Sequence, residues 1–198
     1  MIIAVYGSPR KDGNTDALMD AFLSGVEKHE KSIILYKLRE MTLRPCTGCG
    51  FCDSTGTCIY KDDIWDIYEH LEEADGLILS SPIYFASVTA QLKSFIDRGQ
   101  AFWARNILLN TNDTDVNGKF SCDSYKNVKK GFYMSVGAMN TDKYFLNSRL
   151  VVRSFFISAD IKPSGELFYP GIDKKGEIRK HPEALDAAYK AGMEFCRK

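Results

Sequence analysis

Five short apolar runs divide this chain, and helical patterns separate them. No other feature limits the possible folds as strongly. The runs are IIAVYG (2–7), SIILYKL (32–38), GLILSSP (76–82), KKGFYMSVGA (129–138) and the weaker IKPSGELFY (161–169). After the first, Leu18, Phe22, Leu23 and Val26 recur at helical spacing behind Asn14 or Thr15 as cap. Further helices are predicted over 62–75, with Asp62 and Asp63 as caps, and over 87–103, 143–159 and 181–195, the last with Pro182 in its first turn. Apolar strands joined by helices imply an α/β fold: a five-stranded parallel sheet covered on both faces. A chain of 198 residues suits one domain, 1–198, and the unit count fits strand order 2-1-3-4-5.

In such a sheet, ligands bind beyond the carboxyl ends of the strands, at the point where the order reverses. The loops GSPRKDGNT (7–15), SPIYFAS (81–87) and GAMNTD (137–142) should therefore build the site. The first opens a helix, whose free N–H groups favour an anion. Ser8, Asn14 and Thr15 add short polar groups, and Arg10 adds a fork suited to phosphate. The loop is neither a Walker A motif nor G-x-G-x-x-G, so a monophosphate is expected rather than a triphosphate. A polar turn with a helix cap reads the same way without a ligand. Tyr84 and Phe85 suit the wall of a flat ring and equally suit the core. Small residues at the fourth strand's end allow close backbone approach. His29, His70 and His181 fall at surface positions, and no nucleophile–base arrangement stands out. No catalytic residue is assigned, and chemistry is expected from a cofactor.

Lys+Arg and Asp+Glu each number 26, a balance that gives no footprint for nucleic acid or an anionic membrane. No apolar run is long enough to span a bilayer. MIIAVYGSPRKDGNT lacks the basic and long apolar regions of a signal peptide, so a cytoplasmic, reducing setting is expected. There, clustered cysteines bind metal or do redox work rather than form structural disulfides.

GSPRKDGNT, the pattern C-x-G-C-x2-C…G-x-C…DDI and SPIYFASVTAQLKSFIDR, in that order, resemble the NADPH-dependent FMN reductase family in its iron–sulfur flavoprotein branch, over about residues 1–100. The resemblance implies a flavodoxin-like three-layer sandwich with FMN as cofactor. It puts Ser8, Arg10, Asn14 and Thr15 at the FMN phosphate. It puts Pro82, Ile83, Tyr84 and Phe85 along the isoalloxazine, and Gly137 and Ala138 in the last flavin-side turn. The implied activity is an FMN-dependent oxidoreductase moving electrons from reduced ferredoxin or NAD(P)H to a small acceptor. The alternatives are an NAD(P)H-dependent flavin or quinone reductase without a working cluster and a flavodoxin-like carrier; balanced charge counts against the carrier. Nothing separates NADH from NADPH. A homodimer or homotetramer is expected, because a flat ring at a sheet edge needs cover. RGQAFW (98–103) and the polar segment 106–127 are candidate contacts.

Cys46, Cys49, Cys52 and Cys58 lie in a loop, 44–60, inserted after the second strand. They match the compact cluster motif of that branch. Four thiolates hold a [4Fe–4S] cluster, and Gly48, Gly50 and Gly56 let one loop turn around it. The C-x5-C spacing and the lack of Pro after Cys58 depart from the bacterial ferredoxin run. Zinc also takes four cysteines, usually as two separated pairs, and C-x-x-C units also serve thiol–disulfide exchange. Cys122 and Cys196 are expected to be free thiols.

Overall fold

The computed structural model describes residues 1–29, 31–109 and 129–197. Most of the polar segment 106–127, and Cys122 within it, lie outside the described residues. The five expected strands form one parallel sheet: β1 (Ile2–Tyr6), β2 (Ile33–Lys37), β3 (Gly76–Pro82), β4 (Lys129–Gly137) and β5 (Ile161–Pro170). Their spatial order is β2-β1-β3-β4-β5, as the unit count implied, and the fold is flavodoxin-like.

The helices are α1 (Asn14–Val26), α2 (Phe51–Thr55), α3 (Ile64–Glu73), α4 (Ala90–Arg98), α5 (Gln100–Trp103), α6 (Leu146–Ser158) and α7 (Pro182–Phe195). Alternate β1 residues feed two cores. Ile3 and Val5 pack with Leu77, Ile67, Leu71 and Phe95 beneath α3, α4 and α6. Ile2 and Ala4 pack on the opposite face with Leu18, Phe22 and Ala188 beneath α1 and α7. Each fully buried Leu, Ile or Phe contributes about 1.5–3 kcal/mol.

Three local expectations change. The segment 87–103 is not one helix. It breaks at Gly99, where Phe155 lies so close that an added Cβ would come 2.6 Å from its Cε2. The cap of α1 is Gly13, not Asn14 or Thr15. Asp63 stands at the N-cap of α3 as expected, but its carboxylate makes no capping bond and accepts from the Thr42 N–H at 2.7 Å; Asp62 accepts from the Ile64 N–H at 3.4 Å and is also drawn into an ion pair described below. Within RGQAFW, Phe102 packs inward on Tyr68 and Phe155.

Candidate functional site

The loops after β1, β3 and β4 meet at one edge of the sheet. The Gly7 N–H donates to the Ser80 carbonyl at 2.7 Å, and the Thr89 hydroxyl donates to the Gly7 carbonyl at 2.5 Å. Ser81 accepts from the Thr89 N–H at 3.1 Å, and the Ser135 hydroxyl donates to the Ser81 carbonyl at 2.7 Å. The Ile83 N–H donates to Val136 at 2.9 Å, and a Cβ on Gly137 would lie 3.5 Å from Ile83. The candidate residues of the second and third loops are thus in contact, and Thr89 ties the first loop to them.

Within the first loop, the Ser8 hydroxyl is buried, accepts from the Arg10 N–H at 3.1 Å and faces its carbonyl at 3.2 Å. Arg10 is exposed. Thr15, in the first turn of α1, is 1% exposed, and its hydroxyl has no hydrogen-bond partner among the described residues. Asn14 is engaged elsewhere. Its amide donates to the Lys174 carbonyl at 3.0 Å and accepts from the Ile178 N–H at 3.1 Å, pinning the 174–178 segment to the start of α1. Arg39, just beyond β2, pairs with Asp16 at 3.0 Å, with both side chains nearly buried. Burial pushes the Asp16 carboxyl up despite that partner. Sequence reasoning missed this brace beneath the loop, since nothing local links residues 16 and 39.

In the second loop, Tyr84 and Ser87 pair backbone to backbone at 2.9 and 3.0 Å across a two-residue turn. Its central residues, Phe85 (φ 48°) and Ala86 (φ 58°), both adopt the left-handed conformation that Gly or Asn normally supplies. Phe85 is fully exposed as a result, and Tyr84 is partly so. Ala138 is also exposed, while Gly137 is buried.

The cysteine segment leaves β2 and carries only the short helix α2. Gly48, Gly50 and Gly56 all have positive φ, and Gly50 and Gly56 bound α2. Cys46, Cys49, Cys52 and Cys58 are free thiols lining one cavity of ≈ 380 Å³, together with Asp97, Arg98 and Gln100. Among the described residues, no three His, Cys, Asp or Glu side chains converge as the ligands of a single metal ion. Burial, reinforced by the Asp53 carboxylate, pushes the Cys52 thiol up, so a metal bound there would have to displace its proton. Arg98 packs against this cavity with its side chain 1% exposed, bonded to Cys58 and paired with Asp62. Burial opposes the Asp62 carboxylate, yet hydrogen bonds from Arg98 and the Arg44 N–H outweigh it and hold its pKa below the ordinary value. An Arg among Phe95, Ile96 and Gly99 was the available signal for this residue.

Residues 1–120 match the sequence model described as NADPH-dependent FMN reductase. An iron-sulfur flavoprotein of Methanocaldococcus jannaschii is 29% identical over 98% of this chain and 95% of that protein. An iron-sulfur flavoprotein of Archaeoglobus fulgidus is 40% identical, over 48% of this chain and 44% of that one, so this match spans under half of either. The solved NAD(P)H:quinone oxidoreductase from Methanothermobacter marburgensis superposes with a TM-score of 0.65 at 14% identity, covering 100% of this chain and 98% of that one. That last likeness is one of fold.

Proposed function

This chain belongs to the NADPH-dependent FMN reductase family, and on that premise we propose an FMN-dependent oxidoreductase that moves electrons, through a [4Fe–4S] cluster and FMN, from reduced ferredoxin or NAD(P)H to a small acceptor. When bound, FMN supplies a ring that exchanges a hydride or single electrons, and the cluster supplies a one-electron store.

The observation that carries the FMN reading is the Thr15 hydroxyl, buried in the first turn of α1 without a partner among the described residues. A buried hydroxyl left unpaired costs about 1–3 kcal/mol, a penalty that a phosphate oxygen relieves. The first N–H groups of α1 add donors of the same kind. Exposed Arg10 brings charge, and Ser8 holds the loop's curvature. Asn14 acts in this reading by fixing the helix start against residues 174–178 rather than by touching phosphate. The turn carrying Tyr84 and Phe85, with Gly137 and Ala138 beside it, offers a rim for the ring.

Thr15→Val keeps the shape and removes the hydroxyl. A lost bond to a charged group costs about 1.5–3 kcal/mol, so FMN affinity falls at least about tenfold while riboflavin affinity holds. Isothermal titration with both ligands decides it, and equal losses would refute the phosphate assignment.

For the cluster, the support is four free cysteines around one cavity. A single zinc ion gathers its sulfurs at about 2.3 Å from one centre, whereas the four thiols here ring an open space. Anaerobic protein supplied with iron and sulfide is expected to take up about four of each per chain. Stoichiometric zinc instead would sink the reading.

A further inference from the structure

We propose that Arg98 is the positioning residue of the cysteine segment: its guanidinium closes the neck of the segment, and its Nε–H, bonded to the Cys58 sulfur, raises the reduction potential of a cluster held there. The second half rests on the cluster reading above; the first half does not.

A guanidinium is almost never buried unless its charge is paired and its donors are used. Arg98 meets both conditions. Nε donates to Cys58 Sγ at 3.0 Å. Nη1 donates to the Arg44 carbonyl at 3.0 Å and to Asp62 Oδ2 at 2.8 Å. Nη2 donates to the Tyr60 carbonyl at 2.7 Å and to Asp62 Oδ1 at 3.1 Å. These bonds use the group's full complement of five N–H donors. The acceptors come from both flanks of the segment: Arg44 precedes Cys46, and Tyr60 and Asp62 follow Cys58. Asp62 also accepts from the Arg44 N–H at 2.9 Å, which links the two flanks directly. A planar fork satisfies this geometry, whereas a lysine ammonium is a point charge with three donors and cannot.

The sulfurs are not equivalent. Cys58 alone among the four is bonded to Arg98, Cys52 faces Asp53 at 3.9 Å, and Cys46 and Cys49 are exposed. Hydrogen bonds to cluster sulfurs and nearby charge set the potential. A buried cation donating to one ligand sulfur stabilises the more negative, reduced state, so the potential rises.

The test uses the full chain, with Arg98→Lys as the main variant. In protein without iron, amide exchange across 44–62 is expected to quicken about tenfold, as for a lost hydrogen bond, with β1 and β3 unchanged. After anaerobic reconstitution, a dye-mediated redox titration followed by EPR is expected to give a lower cluster potential than wild type at unchanged FMN content. Unchanged exchange overturns the tether, and an equal or higher potential overturns the tuning. Wild-type protein that takes up no iron overturns the cluster reading and the tuning with it, while the exchange measurement still decides the tether. If Arg98→Lys fails to fold, Asp62→Asn, which weakens two of the five bonds, is expected to loosen the same segment; protection equal to wild type there overturns the tether.

Discussion

Phe85 stands wholly in solvent on a turn whose two central residues both carry left-handed backbone. Such strain costs about 1–3 kcal/mol per residue and persists where the surroundings hold it. Ala86→Gly is expected to stabilise the fold by about 0.5–1 kcal/mol, the αL relief less the glycine entropy, measured by urea denaturation. Phe85→Ala is expected to leave stability within about 0.5 kcal/mol, because the ring touches little. A drop in FMN affinity in that variant would then report contact with the ligand itself, and wild-type affinity would remove Phe85 from the rim. Asp62 makes a pH prediction at this same scale. Its folded pKa lies below the ordinary 3.8, so its stabilisation is complete above that value and is lost as the pH falls through the folded pKa. The stability gap between wild type and Asp62→Asn is expected to narrow as acid is added below about pH 4. A constant gap from neutral to acid would contradict the pairing.

The helices carry a different lesson. α1 and α7 approach so closely that a Cβ on Gly192 would sit 1.9 Å from the Phe22 carbonyl oxygen, and one on Gly25 2.2 Å from that of Tyr189. Neither glycine has a positive φ, so each is needed for space rather than for conformation. Gly192→Ala is expected to cost about 1–3 kcal/mol or more, because backbone must move, even though alanine is the better helix former. A chemical denaturation midpoint at or above wild type would show that the helices separate freely. The strands and their order were legible because apolar runs and helical spacing are local signals. The close approach was not legible, because DAAYKAGMEF reads as an ordinary amphipathic helix until its partner is known. The same reason hid Arg39 beneath Asp16 and the two bonds of Asn14, whose partners lie 160 and 164 residues along the chain. Local pattern supplied the candidate loops, while bonds such as those of Asn14 and Arg39 became visible only in the folded chain.

Across the whole molecule, the two cores lie on either side of the sheet and include none of the four clustered cysteines. Fold and cysteine segment are therefore separable. Changing Cys46, Cys49, Cys52 and Cys58 together to Ser is expected to leave the denaturation midpoint of the iron-free protein and its FMN affinity near wild type. The same change is expected to abolish iron uptake and any visible absorbance beyond that of flavin. Loss of FMN binding in that variant would show that the two sites depend on each other.

They are nonetheless joined by one rigid piece. α4 is preceded by Thr89, bonded to the first loop at Gly7, and ends in Arg98, bonded to the cysteine segment. Its nine residues amount to about 13 Å of helix, which sets a fixed spacing between them. The helix is thus a gauge block between the first loop and the cysteine segment. One residue added in its middle would lengthen it by only about 1.5 Å yet turn Arg98 by about a quarter of a revolution out of its neck. Relatives of this chain that keep both segments should therefore vary in this helix by substitution and not by length.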